Sequence, residues 1–180
     1  MGEATTGADY PGKNVLLVKD QAYGLDAKYD TIPPGFRHAF LIRHPYKVLP
    51  SWKRMQFELL EYVQKNLDPN PVIIDADDLQ SNPSSILRQF CQAVGIPYSD
   101  SLIEWPADRN IMKTWKGSRV LLQGNMLENG GGYYENAMKS SRFLPVTATP
   151  KRSDLSQDLQ EAADNYMPYY EKMYQMRFKP

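Results

Sequence analysis

The chain has a single cysteine, Cys91, among its 180 residues, so no disulfide can close within it. That excludes a small, disulfide-stapled secreted scaffold and fits a reducing compartment, with the cytoplasm as the expectation. No apolar run is long enough to span a bilayer or to act as a signal peptide. Net charge is missing too, since 21 basic residues balance 21 acidic ones. Without an overall positive field, and with aromatics that do not interleave with its basic residues, the chain does not read as a nucleic-acid binder. Internal repeats are absent, and Asn129-Gly130-Gly131-Gly132 is a hinge with no strand before it to make it a phosphate cradle.

What is present suffices for one core: 42% of residues are hydrophobic and 12% aromatic. The expected layout is a loose polar arm over 1–13 and a single domain over 14–180. Charge is uneven along it. Between Asp30 and Glu58 there is no carboxylate, while Arg37, Arg43, Lys47, Lys53, Arg54 and both histidines, His38 and His44, fall inside. Such a local field attracts a phosphate or sulfate. For Lys53 and Arg54 a solvated helix face accounts for the charge equally well.

The centre of that window is Phe40–Met55. Ala39-Phe40-Leu41-Ile42 is a short apolar run of the kind that forms a buried parallel strand, and His44-Pro45 stops it. From about Pro50, Trp52, Met55, Leu59, Leu60, Val63 and Leu67 recur at helical spacing. The unit is therefore strand, turn, helix, and the C-terminal edge of a parallel sheet is where ligands dock. Arg43 ends the strand, where an unpaired guanidinium is costly, so a fixed anionic partner is expected.

Ile42-Arg43-His44-Pro45-Tyr46-Lys47-Val48-Leu49-Pro50-Ser51 resembles the sulfotransferase segment of Arg, Asp or Asn, Pro, a basic residue, apolar residues and Ser. In that family the arginine and the serine hold the 3′-phosphate of the donor, 3′-phosphoadenosine 5′-phosphosulfate. The resemblance thus implies Arg43 and Ser51 as nucleotide-binding residues, with His44 in place of the usual Asp or Asn. Val15-Leu16-Leu17-Val18-Lys19 resembles the family's strand ending in a lysine, and Lys19 precedes Arg43 by the family's interval. Val72–Leu79, then Asn82-Pro83 and a helix ending at Gly95-Ile96-Pro97, resemble its strand, acid pair, leucine and following helix. These matches cover about half the chain, and their order and spacing carry the likeness.

The resemblance implies an α/β fold with a mostly parallel sheet flanked by helices, of the P-loop nucleoside triphosphatase type. The chain is expected to lack that fold's first strand and glycine-rich 5′-phosphosulfate loop, which leaves a gap or an unpaired edge. Gly7 to Asn14 copies G-x-x-x-x-G-K-[ST] superficially, but it precedes a strand, has Asn14 at the hydroxyl position and carries Asp9. The position of the family's catalytic histidine is Gln21, whose amide takes no proton from an acceptor hydroxyl. Lys19, nearest the transferring group, and Asp20, a base weakened by its basic surroundings, are the catalytic candidates. An ordinary strand-end ion pair explains Lys19-Asp20 as readily.

The function expected is that of a sulfotransferase-like protein that keeps the 3′-phosphate half of the donor site, with weak or no transfer to a hydroxyl or amine of a small-molecule or carbohydrate acceptor. The alternative is a non-catalytic module, its C-terminal Tyr/Met-rich helix docking a protein partner. Core packing is the more ordinary use of those residues.

The rest reads locally. Asn14–Val18 and Val72–Ile74 are further strands. Asp75, Asp77 and Asp78 lack the spacing of a calcium loop and suit helix capping. Asn82 and Pro83 open a helix that Gly95 closes. Ser101–Trp105 reads as a helical turn and Tyr133–Lys139 as helix. Asp154 is expected to cap a last helix, which Pro168 bends.

Overall fold

A computed structural model of the chain describes residues 11–48, 53–108 and 138–180. The chain separates into two compact units, one of residues 19–98 and 145–180, the other of 1–18 and 99–144.

The first unit is built on a parallel pair of strands, β1 (Ala39–Ile42) and β2 (Val72–Asp75). Joining them is α1 (Lys53–Asn66), as a parallel crossover requires. Ala39 pairs with Val72 and Ile42 with Asp75, so both strands end level. Beyond β2 come α2 (Ala76–Ser81) and α3 (Pro83–Val94), and the unit closes with α4 (Gln157–Gln175). The fold is α/β, with a small parallel sheet and four helices among the described residues.

The alternation of side chains along a strand decides what each face meets. Phe40, Ile42 and Ile73 share a face and pack with Leu60 and Val63 of α1 and Tyr170 and Met173 of α4. Val72 and Ile74 face the other way, onto Ile86 of α3 with Leu79, Phe90 and Phe178 around it. Leu41, on the uncovered face of β1, is 56% exposed. The sheet's edges are both engaged: Gln56 donates to the Leu41 carbonyl at 2.9 Å, and the Phe178 amide donates to the Ile73 carbonyl at 3.0 Å.

α3 is bounded as its sequence predicts. Asn82 Oδ1 accepts from the Ser85 amide, Pro83 sits in the first turn, and Gly95 takes the left-handed conformation at φ 75°. The Ile96 amide then reaches back to the Cys91 carbonyl at 2.9 Å. An added Cβ at Gly95 would meet nothing within 4 Å, so only the backbone conformation opposes a side chain there. Gly95→Ala is accordingly expected to cost about 1 kcal/mol, read as a lower urea midpoint with an unchanged slope.

Two expectations are corrected. Asn14–Val18 forms no strand, and Val15, Leu16 and Leu17 are 56%, 40% and 82% exposed. An apolar run becomes a strand only where a neighbour takes up its amides and carbonyls, and neither strand of the described sheet pairs with it. The last helix is not capped by Asp154. Asp154 instead ends a 3-10 turn over Arg152–Asp154, its carboxylate accepting from the Lys151 amide, and α4 starts at Gln157. Pro168 lies inside α4, which continues to Gln175.

The Tyr/Met-rich end of α4 serves the core, with Tyr170 and Met173 buried and Tyr169 tilted against Phe57.

In the second unit a 3-10 turn over Asp100–Leu102, capped by Ser99, leads to an antiparallel bridge between Glu104 and Arg142. The Trp105 ring there stands edge-on to Phe143 at 5.4 Å. The glycine run, the Gly7–Tyr10 part of the loop look-alike and most of Tyr133–Lys139 lie outside the described residues.

Candidate functional site

Because Ile42 and Asp75 are register partners, the residues that follow them emerge at one edge. Arg43, His44 and Lys47 come from β1, and Asp77 and Asp78 from β2. The chain is turned after β1 by His44, whose Nδ1 accepts from the Tyr46 amide at 3.2 Å, and by Pro45, which opens a 3-10 turn over Pro45–Lys47. This is the job that an Asp or Asn does in an Asx turn, performed by an imidazole.

The turn aims Lys47 inward. Its side chain is 4% exposed, and Nζ donates to Asp77 Oδ2 at 2.6 Å and to the Thr147 carbonyl. Arg43 approaches the other oxygen of the same carboxylate, Nε standing 3.6 Å from Asp77 Oδ1. That separation is too long for a hydrogen bond, and both atoms are buried without a hydrogen-bond partner. The Arg43 side chain remains 32% exposed. Two cations thus share one carboxylate, and Arg43 is the one of them that meets solvent.

Beneath this layer Asp75 is 2% exposed. One oxygen accepts from the Asp77 and Asp78 amides and the other from the Tyr170 hydroxyl at 3.0 Å. Burial, with Asp75 alongside, pushes the Tyr170 hydroxyl far above its usual range and keeps it a donor. The His44 ring stands edge-on to Tyr46 and Tyr170, at 5.0 and 5.4 Å. Burial is the largest influence on His44 and lowers its pKa, with Lys47 in the same sense and Asp77 and Asp75 opposing. Arg177, stacked over Tyr174 at 3.3 Å, binds Asp78 at 2.6 Å and fastens the C-terminal end of the chain to α2.

Of the residues the sequence nominated, Arg43 stands at the sheet edge, paired with Asp77 in a half-open setting. Ser51 lies outside the described residues. Lys19 and Asp20 are exposed at the start of the first unit, and Asp20 Oδ1 accepts from the Gln21 amide at 2.7 Å. Asp75 caps α2, and no metal-binding group of acids, histidines and cysteine exists among the described residues. Sequence reasoning missed the Lys47–Asp77 pair and the Asp75–Tyr170 bond. It had noted Lys47 as a basic residue and Asp77 as part of an acid group, but nothing local joins them.

The opposite end of β1 carries a separate polar group. Asp68, 4% exposed, accepts from the His38 and Asn70 amides and lies 3.3 Å from Arg37 Nε. Burial alone would raise its pKa, but those bonds and Arg37 hold the carboxyl below its usual range. The His38 ring nitrogens are buried without hydrogen-bond partners, Nδ1 being 3.8 Å from Asp68. Burial lowers the His38 pKa, with Asp68 opposing and Arg37 assisting.

The sign follows. A histidine whose folded pKa lies below its unfolded value leaves the unfolded chain with more protons, so stability falls as pH drops through 6.5. Asp68 acts in the same direction but only at lower pH, below the ordinary carboxylate value of 3.8. The urea midpoint is expected to fall between about pH 7.5 and about pH 5.5, and His38→Gln to flatten part of that fall. A midpoint that rises on acidification contradicts this.

The family model described as "Sulfotransferase domain" matches residues 25–175. Two curated proteins of Arabidopsis thaliana are similar. Branched-chain-amino-acid aminotransferase-like protein 2 is 35% identical over 141 residues, covering 57% of this chain and 25% of its own. Branched-chain-amino-acid aminotransferase-like protein 1 is 34% identical over 102 residues, covering 51% of this chain and 18% of its own. The chain therefore spans a quarter or less of the length of these relatives. No solved structure matches.

Proposed function

The chain belongs to the sulfotransferase domain family, and from that premise we propose that the edge beyond β1 binds the 3′-phosphate of a 3′-phosphoadenosine 5′-phosphosulfate donor. One observation carries the reading: Arg43 Nε is buried at the end of a parallel strand with no hydrogen-bond partner, on a side chain that still reaches solvent. With Nε turned toward Asp77, the solvent-reaching end of the guanidinium is the part left to meet a phosphate oxygen. Ser51 is the proposed second contact, through its hydroxyl. Lys47 stays bound to Asp77 and supplies field without touching the ligand.

The donor, when bound, supplies a sulfuryl group for in-line transfer to a hydroxyl or amine. Lys19 is proposed to lie nearest the group in transfer and to offset its charge. Asp20 is proposed as the acceptor of the proton released, with one of its oxygens already engaged by the Gln21 amide. Transfer is expected to be weak, because the position of the family's basic histidine is held by Gln21.

That glutamine favours a second reading, in which the chain binds nucleotide or a partner without catalysis. The aminotransferase-like names of the relatives describe proteins of which this chain matches a quarter or less, and they supply no site residue here. Titration with adenosine 3′,5′-bisphosphate, together with transfer of labelled sulfate to a panel of phenols, sugars and amines, tests the proposal. Nucleotide binding with little transfer is expected. Absence of binding at low salt overturns the donor site, and rapid turnover overturns the assignment of weak catalysis.

A further inference from the structure

We propose that His44 is a positioning residue of this anion site and that it acts only as the neutral ring, so that acid dismantles the site instead of strengthening it. The inference rests on the nucleotide reading above and adds its regulation. It starts from the bond between the Tyr46 amide and His44 Nδ1 at 3.2 Å. An Nδ1 that accepts an N–H carries no proton, so the neutral ring is protonated at Nε2. Taking up a second proton places an N–H on Nδ1, pointing at another N–H, and the cap is lost.

Much depends on that cap. It fixes the turn between Arg43 and Lys47, whose own amide bonds the His44 carbonyl at 2.9 Å. Lys47 in turn holds Asp77, the carboxylate against which Arg43 is set. An Asp or Asn at position 44 would cap the turn equally well and would not titrate between pH 5 and 8.

The groups facing the ring come from each surrounding element. Lys47 and Tyr46 lie on its own turn, Asp75 ends β2, Asp77 lies on α2, and Tyr170 comes from α4 with its hydroxyl on Asp75. The Tyr46 hydroxyl is engaged by Asp164 of α4. With burial, these groups leave the ring neutral at pH 7.

A histidine in direct contact with the anion would behave oppositely, since its protonation adds attraction. The two cases are separated by titrating adenosine 3′,5′-bisphosphate into the full chain and into His44→Asn, at constant ionic strength, from about pH 7.5 to about pH 5. The ligand's phosphate itself gains a proton near pH ~6, but identically in both proteins. At the higher pH the two are expected to bind within about twofold, with His44→Ala on the order of fivefold to tenfold weaker for want of a cap. On acidification the wild-type chain should lose on the order of tenfold more affinity than His44→Asn. Parallel losses, or a smaller loss in the wild type, overturn the inference while leaving the nucleotide reading intact. Binding by none of the proteins overturns the nucleotide reading and the site's regulation with it. The cap is then judged separately by the Tyr46 amide proton, whose chemical shift is expected to follow His44 protonation. A shift that ignores it overturns the cap as well.

Discussion

Replacing Arg43 by alanine is expected to weaken adenosine 3′,5′-bisphosphate binding by about 10- to 100-fold, which corresponds to removing one charge-assisted hydrogen-bonded contact worth about 1.5–3 kcal/mol. The expectation follows from the unequal treatment of the two cations at the sheet edge. Lys47 is 4% exposed and hydrogen-bonded to Asp77, whereas Arg43 is 32% exposed and lies beyond hydrogen-bond reach of the same carboxylate. Arg43 is the one that can accept a new partner without breaking an existing bond. Its loss also leaves Asp77 facing the ligand with Lys47 alone, which adds repulsion. Lys65, an exposed residue at the end of α1, provides the comparison: Lys65→Ala should change affinity by less than about twofold. Isothermal titration at two salt concentrations separates the outcomes, since a general field effect would weaken both variants alike.

The second large effect concerns stability. Asp75→Ala is expected to lower folding stability by about 3 kcal/mol, from a lost helix cap of about 1 kcal/mol and a buried Tyr170 hydroxyl left unsatisfied at about 1–3 kcal/mol. Asp75 is 2% exposed and accepts from two amides at the start of α2 and from Tyr170 of α4. For a domain of this size the melting temperature should fall by about 6–10 °C. Tyr170→Phe removes the donor and keeps the cap, so it should cost less, about 1–2 kcal/mol. A cost for Asp75→Ala no greater than that of Tyr170→Phe would show that the cap contributes nothing.

How much of this was legible in the sequence depended on the range of the interaction. α3 was readable end to end, because Asn82, Pro83 and Gly95 act within a turn of themselves. β1 and β2 were readable as short apolar runs closed by polar residues, and the crossover helix between them by its period. The same apolar signal at Asn14–Val18 misled, since strand formation depends on a partner that the run itself cannot specify. Arg43 was legible as a cation in need of an anion, but the identity of that anion was not. Asp77 lies 30 residues beyond Lys47, and Tyr170 lies 95 beyond Asp75. Such pairs are fixed by strand register and helix docking, which no local window contains. The capping role of His44 was hidden for a different reason. Imidazole is an uncommon cap, so a residue that resembled a departure from the family pattern turned out to fill the same geometric place.

The long reach of the Asp75–Tyr170 bond has a bearing on synthesis. A chain emerging from the ribosome can pair β1 with β2 and wrap α1 across them early, since those segments lie close together in sequence. The ring against which His44 rests arrives only with α4, 95 residues after Asp75. Until then the Asp75 carboxylate waits without its hydroxyl, and a nascent chain would carry the scaffold before it carried any grip on an anion.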